Sequence, residues 1–150
     1  MTEPLTTTTR LAALITAKQQ VLEILVQLGH KQVALITSGD MTSLMKLLAG
    51  KQSVMSHLQM IEQAMAPFRD EDPEARVWES PTHRAACQVR ADQCNGLLRE
   101  AMQLEQTAEA EMVKRRDSTL ASVTSLHAAA DARAAYIPLG PAAAGLRFEG

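Results

Sequence analysis

Apolar residues recur at alternating steps of three and four along most of the chain, the spacing of one face of a helix. In a first segment the series runs Leu11, Leu14, Lys18, Val21, Leu25, Leu28, Gln32 and Leu35. In a second it runs Leu44, Leu47, Lys51, Val54, Leu58, Ile61, Met65 and Phe68. Both are heptad seams with a polar interruption, the pattern of helices that cross at about 20°. A third series, Ala86, Val89, Gln93, Leu97, Leu104, Ala108, Met112, Leu120, Val123 and Leu126, is weakened by small and polar residues.

Proline and glycine mark where these segments stop. Prolines fall at 4, 67, 73, 81, 138 and 141, and proline is costly inside a helix, so 5–66 and 82–137 are the helical territories. Ser38-Gly39-Asp40 divides the first of them, with Gly suited to a left-handed helix end and Asp to capping the next helix. Ser80-Pro81 is a cap residue followed by proline at the first helical position. The acidic stretch Arg69 to Glu79 reads as a solvated loop. The pattern predicts helices over about 8–38, 41–66 and 81–133, then an irregular tail. Short connections make neighbours antiparallel, so the expectation is an all-α, up-down-up bundle of three long helices, the third the longest. Residues 1–135 form the helical domain in this reading and 136–150 a flexible tail. Leu25 and Leu58 are expected in buried central layers.

Helix length gives the first functional hint. The first two helices are about 40–45 Å long and an unbroken third approaches about 80 Å. Its later half must overhang, fold back near Asn95-Gly96, or find a partner. A fold-back completes a four-helix bundle on its own.

Composition sharpens the class. Ala (24) and Leu (18) outnumber Val plus Ile (13), and the only aromatics are Phe68, Trp78, Tyr136 and Phe148, which is helical usage. A formal net charge of -2 with few stacking rings argues against nucleic-acid binding. No uninterrupted apolar run approaches the roughly 18 residues that span a bilayer. The opening MTEPLTTTTR lacks the basic-then-apolar order of a secretory signal. These features lead to the expectation of a cytoplasmic protein with no stable membrane insertion.

Candidate chemistry is sparse. No GxSxG, P-loop, HExxH or GxGxxG motif occurs. His83, Cys87 and Cys94 share a helix face, but the two thiols stand about 10.5 Å apart along the axis, too far for one metal or one disulfide. They read as small packing residues. His30, His57 and His127 lie on different helices without a carboxylate pattern, and Glu100, Glu105 and Glu109 mingle with Arg99, Lys114 and Arg115 as a solvated face. No catalytic residue, cofactor or metal is expected. The methionines crowd the second helix (Met41, Met45, Met55, Met60, Met65), with Met102 and Met112 on the third. Thioethers fill cores and also adapt to varied partner helices.

Taken together, a long amphipathic helix followed by Ser38-Gly39-Asp40, Leu44, Leu47, Lys51, Leu58, Ile61 and Glu62 resembles the FlgN family of flagellar type III export chaperones. In that family a Gly-Asp turn precedes a leucine-repeat helix with a Lys about eleven residues after the Asp; here these are Asp40 and Lys51. Tyr136-Ile137-Pro138-Leu139-Gly140 is similar to the family's Tyr and following Gly after the long third helix, with Pro138 departing from the usual small or polar residues.

The resemblance implies a cytosolic chaperone in flagellum biogenesis. It would hold hook–filament junction (hook-associated) proteins unassembled and deliver them to the type III export gate. An apolar helix face would take up an amphipathic client segment that folds only on assembly. The expected client positions are Leu104, Ala108, Met112, Leu120, Val123 and Leu126 on the third helix. Thr119, Ser122, Thr124 and Ser125 weaken that helix until a partner orders it. The resemblance makes Tyr136 the contact for the export-gate component. Two other readings stay open: a coiled-coil scaffold whose third helix pairs with its own copy as a homodimer, and a metal or redox protein using His83, Cys87 and Cys94.

Overall fold

The computed structural model describes residues 2–136, with side chains from position 5 onward. They form α1 (Thr2–Ser38), α2 (Met41–Arg69), a short 3-10 turn at Pro73–Ala75 and α3 (Pro81–Tyr136), with no strand among them. The chain divides into two compact units, Met1–Glu111 and Met112–Gly150. The first is a three-helix bundle, in line with the all-α expectation.

The caps form where the sequence places them. Gly39 takes a left-handed φ of 79°, and the amides of Gly39 and Asp40 return to the Ile36 and Leu35 carbonyls at 3.2 and 3.1 Å. Asp40 then accepts from the Ser43 amide at 3.1 Å, and hydrogen bonding by the Ser43 side chain and amide holds its carboxyl below the ordinary value. Ser80 Oγ accepts from the His83 amide at 3.0 Å and starts α3.

Boundaries differ at both prolines. α1 begins at Thr2 because Pro4 sits in the first turn, where no amide partner is needed. α2 runs through Pro67 to Arg69, and the Arg76 guanidinium donates to the Phe68 carbonyl at 2.6 Å, satisfying its C-terminal end. Arg69–Glu79 is solvated at most positions, as expected, but Arg76 and Trp78 tie it to the bundle. Buried Thr8 places its hydroxyl 2.7 Å from the Val77 carbonyl, and Trp78 packs on the core.

Pair numbering fixes the helix directions. Lys18 pairs with Glu62 at 2.7 Å, and Lys51 donates to Gln32 at 3.0 Å. Partner numbers fall as α1 numbers rise, so α1 and α2 are antiparallel. Against α3, Arg90 donates to Thr16 and Gln19 to Gln93, both at 2.7 Å. The sequence offset is 74 in each case, so α1 and α3 are parallel. Carried to Ser38, the last residue of α1, this offset reaches Met112, where the second compact unit begins.

α1 supplies most of the core and is buried on two adjacent faces. Leu11, Ile15, Val21, Leu22 and Leu25 meet Ile61 and Phe68 of α2 and Cys87 and Cys94 of α3. A second cluster of Ile36, Leu44 and Ala108 closes the end by the Gly39 turn. Leu25 lies in a buried layer as expected, whereas Leu58 is only half-buried. The third seam follows the predicted one at Leu97, Leu104 and Ala108 but is displaced at its start. Cys87 and Cys94 are buried and Ala91 half-buried, while Ala86, Val89 and Gln93 are exposed. Small side chains let α3 approach α1 closely, and the bulkier Val89 is left outside. At Asn95-Gly96 α3 continues as helix, so of the three alternatives the fold-back there does not occur.

By length and composition α1 could cross a membrane, the one such helix among the described residues. Charges at Lys18 and Glu23 interrupt its apolar runs, and its buried positions are covered by α2 and α3.

Glycine substitutions test this packing. A Cβ at Gly29 would lie 2.9 Å from Leu104 Cδ1 and 3.0 Å from its Cβ, whereas one at Gly50 or Gly96 meets nothing within 4 Å. Gly29→Ala should destabilise by about 1–3 kcal/mol through overpacking. Gly50→Ala and Gly96→Ala should each stabilise by about 0.4–1 kcal/mol. Denaturant midpoints check the signs, and a neutral Gly29→Ala would put the α1–α3 contact in error. In the same assay Leu22→Ala, at a side chain with 0% exposure, should cost about 2–5 kcal/mol. Leu58→Ala should cost less.

Candidate functional site

The first unit carries a groove between α2 and α3, built over α1. Leu25 and Gly29 of α1 contribute with Leu58 and Ala101, Leu48 and Met55 line it from α2, and Leu98 and Met102 from α3. Its volume is about 430 Å³. Leu48, Met55, Leu98 and Met102 are all exposed, Met102 at 56%. Gly29 matters here because Leu104 rests directly against its backbone, drawing α3 onto α1.

Lys51 and Glu105 also line the groove and pair with each other across it. With Gln32, which is buried, Lys51 joins all three helices. The polar interruptions of the first two seams thus resolve into two cross-links, Lys18–Glu62 and Gln32–Lys51–Glu105. Such pairs, with Lys18, Glu62, Gln32 and Lys51 at least half-buried and Glu105 exposed, favour one register, since a shifted helix leaves them unpaired.

The described part of the second unit is the helix from Met112 to Tyr136. Met112, Leu120, Val123 and Leu126 are exposed at 41, 57, 44 and 70%. At about 100° per residue these four fall within an arc of roughly 120°, so they share one face. Two of the expected client positions are used differently. Ala108 is buried against Ile36 and Leu44, and Leu104 is half-buried against Gly29. Both help to close the bundle, which leaves Ala108 no free surface and Leu104 only part of its own. Tyr136, expected to open the irregular tail, is helical and 79% exposed. It lies roughly 140° around the helix from Val123, away from the apolar face. The tail's other large apolar residues, Ile137, Leu139, Leu146 and Phe148, which by sequence could either cap the bundle or serve as an extended ligand, lie outside the described residues.

Cys87 and Cys94 are free, buried thiols. Cys94 Sγ lies 3.7 Å from the Ile15 carbonyl, and Cys87 belongs to the same core cluster. Burial pushes both thiols above the ordinary value, against the lowering field of Arg76 and Arg90 at Cys87 and of Lys18 at Cys94. Among the described residues no group of three His, Cys, Asp or Glu side chains could hold a metal ion. His83 makes an edge-on contact with Trp78, ring centroids 5.6 Å apart, instead of joining the thiols.

The groove was not legible from periodicity. Leu48, Met55, Leu98 and Met102 lie off the seams, and a second apolar stripe on α2 and α3 has meaning only once α1 is placed behind both. The available signal was methionine enrichment on the second helix. No family model, curated protein or solved structure matches the chain.

The thiols give a pH test. A raised folded pKa means their contribution to stability is complete below the ordinary thiol value of about 8.5 and is lost as pH rises through the folded value. Between pH 7 and 10 the denaturant midpoint should fall, and Cys87→Ala with Cys94→Ala should flatten that slope whatever it does to the midpoint itself. An unchanged slope in the double variant would assign the alkaline loss to other groups.

Proposed function

We propose that this chain is a FlgN-like export chaperone. In this reading it is cytoplasmic, binds hook-associated proteins of the hook–filament junction, prevents their early assembly and delivers them to the flagellar type III export gate. The observation that carries the reading is the exposed face of Met112, Leu120, Val123 and Leu126 on the later part of α3. Large apolar groups grouped on one helix face favour a partner that covers them. An amphipathic client segment that folds only in the finished filament would expose a stripe of the same kind, and burying the two together keeps it from pairing elsewhere. The capped Gly39-Asp40 turn, followed by the inward-paired Lys51, supports the same reading because those residues carry the resemblance. The assignment needs no reaction or cofactor.

A second reading is self-pairing into a homodimeric scaffold. Leu120 and Leu126 lie three residues either side of Val123, so an antiparallel pair of copies centred on Val123 would match Leu120 with Leu126.

Co-purification from the native organism separates the two. Hook-associated proteins should be recovered with the chain, and Val123→Glu with Leu126→Glu should reduce that recovery at least tenfold without moving the melting temperature, since both positions are exposed. Recovery of the chain alone, with a dimer mass by light scattering that the same substitutions reduce to a monomer, would establish the scaffold instead. Tyr136→Ala should lose binding to the export-gate component and keep client binding. A Tyr136→Ala chain that supports full export would remove the docking role.

A further inference from the structure

We propose that the cavity enclosed by α1, the end of α2 and the first turns of α3 binds a small apolar carboxylate, a chain or ring system with one anionic end. This site is independent of the chaperone reading. Its floor is apolar: Leu11 and Ile15 of α1, Phe68 of α2 and Cys87 of α3 are all buried, and Trp78 of the loop lies beside them. The volume is about 250 Å³. An apolar cavity of about 150 Å³ takes a benzene ring, so this one holds roughly eight to ten carbon atoms. It reaches the surface at Arg69, Arg84 and Gln88, which line it and are exposed. Apolar walls with a few polar groups at the mouth are the build of a small-molecule site.

Charge placement selects the anionic end. Three guanidinium groups line the cavity, Arg69, Arg76 and Arg84, and no carboxylate does. Carboxylates are nevertheless near. The loop carries Asp70, Glu71, Asp72, Glu74 and Glu79, α2 adds Glu62 and α3 adds Asp92. Against these stand the lining arginines, Arg90 of α3, and Arg10 and Lys18 of α1. The two signs nearly balance, so position decides. The loop carboxylates are all exposed. Glu62 pairs with both Lys18 and Arg69, one carboxylate for two cations. Glu71 stands 3.6 Å from Arg76 Nε, whose side chain is only 18% exposed. Glu74 pairs with Arg84 at 3.2 Å, both well exposed, and an exposed pair of this kind contributes little and exchanges partners readily. Burial raises the Cys87 thiol, and the charges that act against it, Arg76 and Arg90, are both cations, so the floor lies in a positive field. A carboxylate whose chain rests on that floor can take Arg84 as a bidentate partner at the mouth, while its apolar part leaves water. An ammonium there would meet guanidinium groups, and an alcohol would gain no ion pair.

The test uses the full chain with octanoate, 1-octanol and octylammonium. It reads the emission of Trp78, the only tryptophan, and the melting temperature in parallel. Octanoate should give a saturable change in emission and raise the melting temperature, as a ligand of the folded state does. Octanol should bind at least about tenfold more weakly, the loss of a charge-assisted hydrogen bond, and octylammonium should not saturate. Arg84→Gln should weaken octanoate at least about fivefold and leave the melting temperature of the free chain in place, since that side chain is exposed. Arg99→Gln, at an exposed arginine of α3 outside the lining, should change neither. A melting temperature that octanoate does not raise, or equal affinity for octanoate and octanol, would overturn the proposal. So would an octanoate affinity that Arg84→Gln leaves unchanged, or that Arg99→Gln lowers equally.

Discussion

Around Leu22, which has 0% exposure, Val21, Leu25, Val26 and Gly29 are also buried. At about 100° per residue they span an arc near 140°, wider than the two-position stripe a single partner helix covers in a coiled coil. α1 therefore needs helices on two sides, and much of the bundle follows from meeting that need. α2 covers the side marked by the heptad seam. α3 covers the other, and it can do so because Cys87, Ala91, Cys94, Ala101 and Ala108 are small. Gly29 serves the same end from the α1 side, leaving space for Leu104. The polar cross-links Lys18–Glu62 and Gln32–Lys51–Glu105 then hold the three helices in one register.

Covering α1 on two sides leaves α2 and α3 flanking a channel over it, so the groove is a by-product of the same packing. Lys51 belongs to both: it ties the helices together and, paired with Glu105, removes free charge from the lining. α1 ends at Ser38. From Met112 on, the polar character of the chain changes, with Leu120, Val123 and Leu126 exposed among Thr119, Ser122, Thr124 and Ser125.

Much of this was legible in particular residues. The α1 and α2 seams could be read because Leu and Val dominate them and their polar breaks, Lys18, Gln32 and Lys51, fall in register. The turn at Gly39-Asp40 and the start at Ser80-Pro81 were legible because each uses a residue with a specific backbone role. The start of the α3 seam was not, because periodicity weighs Val89 above Cys87 and Ala91, whereas close packing on α1 selects the smaller side chains; from Leu97 through Ala108 the predicted series does face the bundle. Pro67 misled in a similar way: its missing amide frees only the carbonyl of exposed Gln63, near the helix end, where solvent can meet it. Leu104 and Ala108 were assigned to a client face because the spacing along α3 continues through them; only the positions of Gly29 and Ile36 show that the bundle already uses them.

The first part of α3 serves the bundle, and under the proposed function its later apolar face receives a partner. Backbone hydrogen–deuterium exchange on the full chain, alone and with a hook-associated protein, measures this most directly. Amides near Cys94 and in the Val21–Gln32 part of α1 should exchange slowly in both samples. Those from Leu120 to Leu126 should exchange quickly alone and become protected on addition of the partner. Strong protection of 120–126 in the isolated chain, unchanged by the partner, would contradict the account.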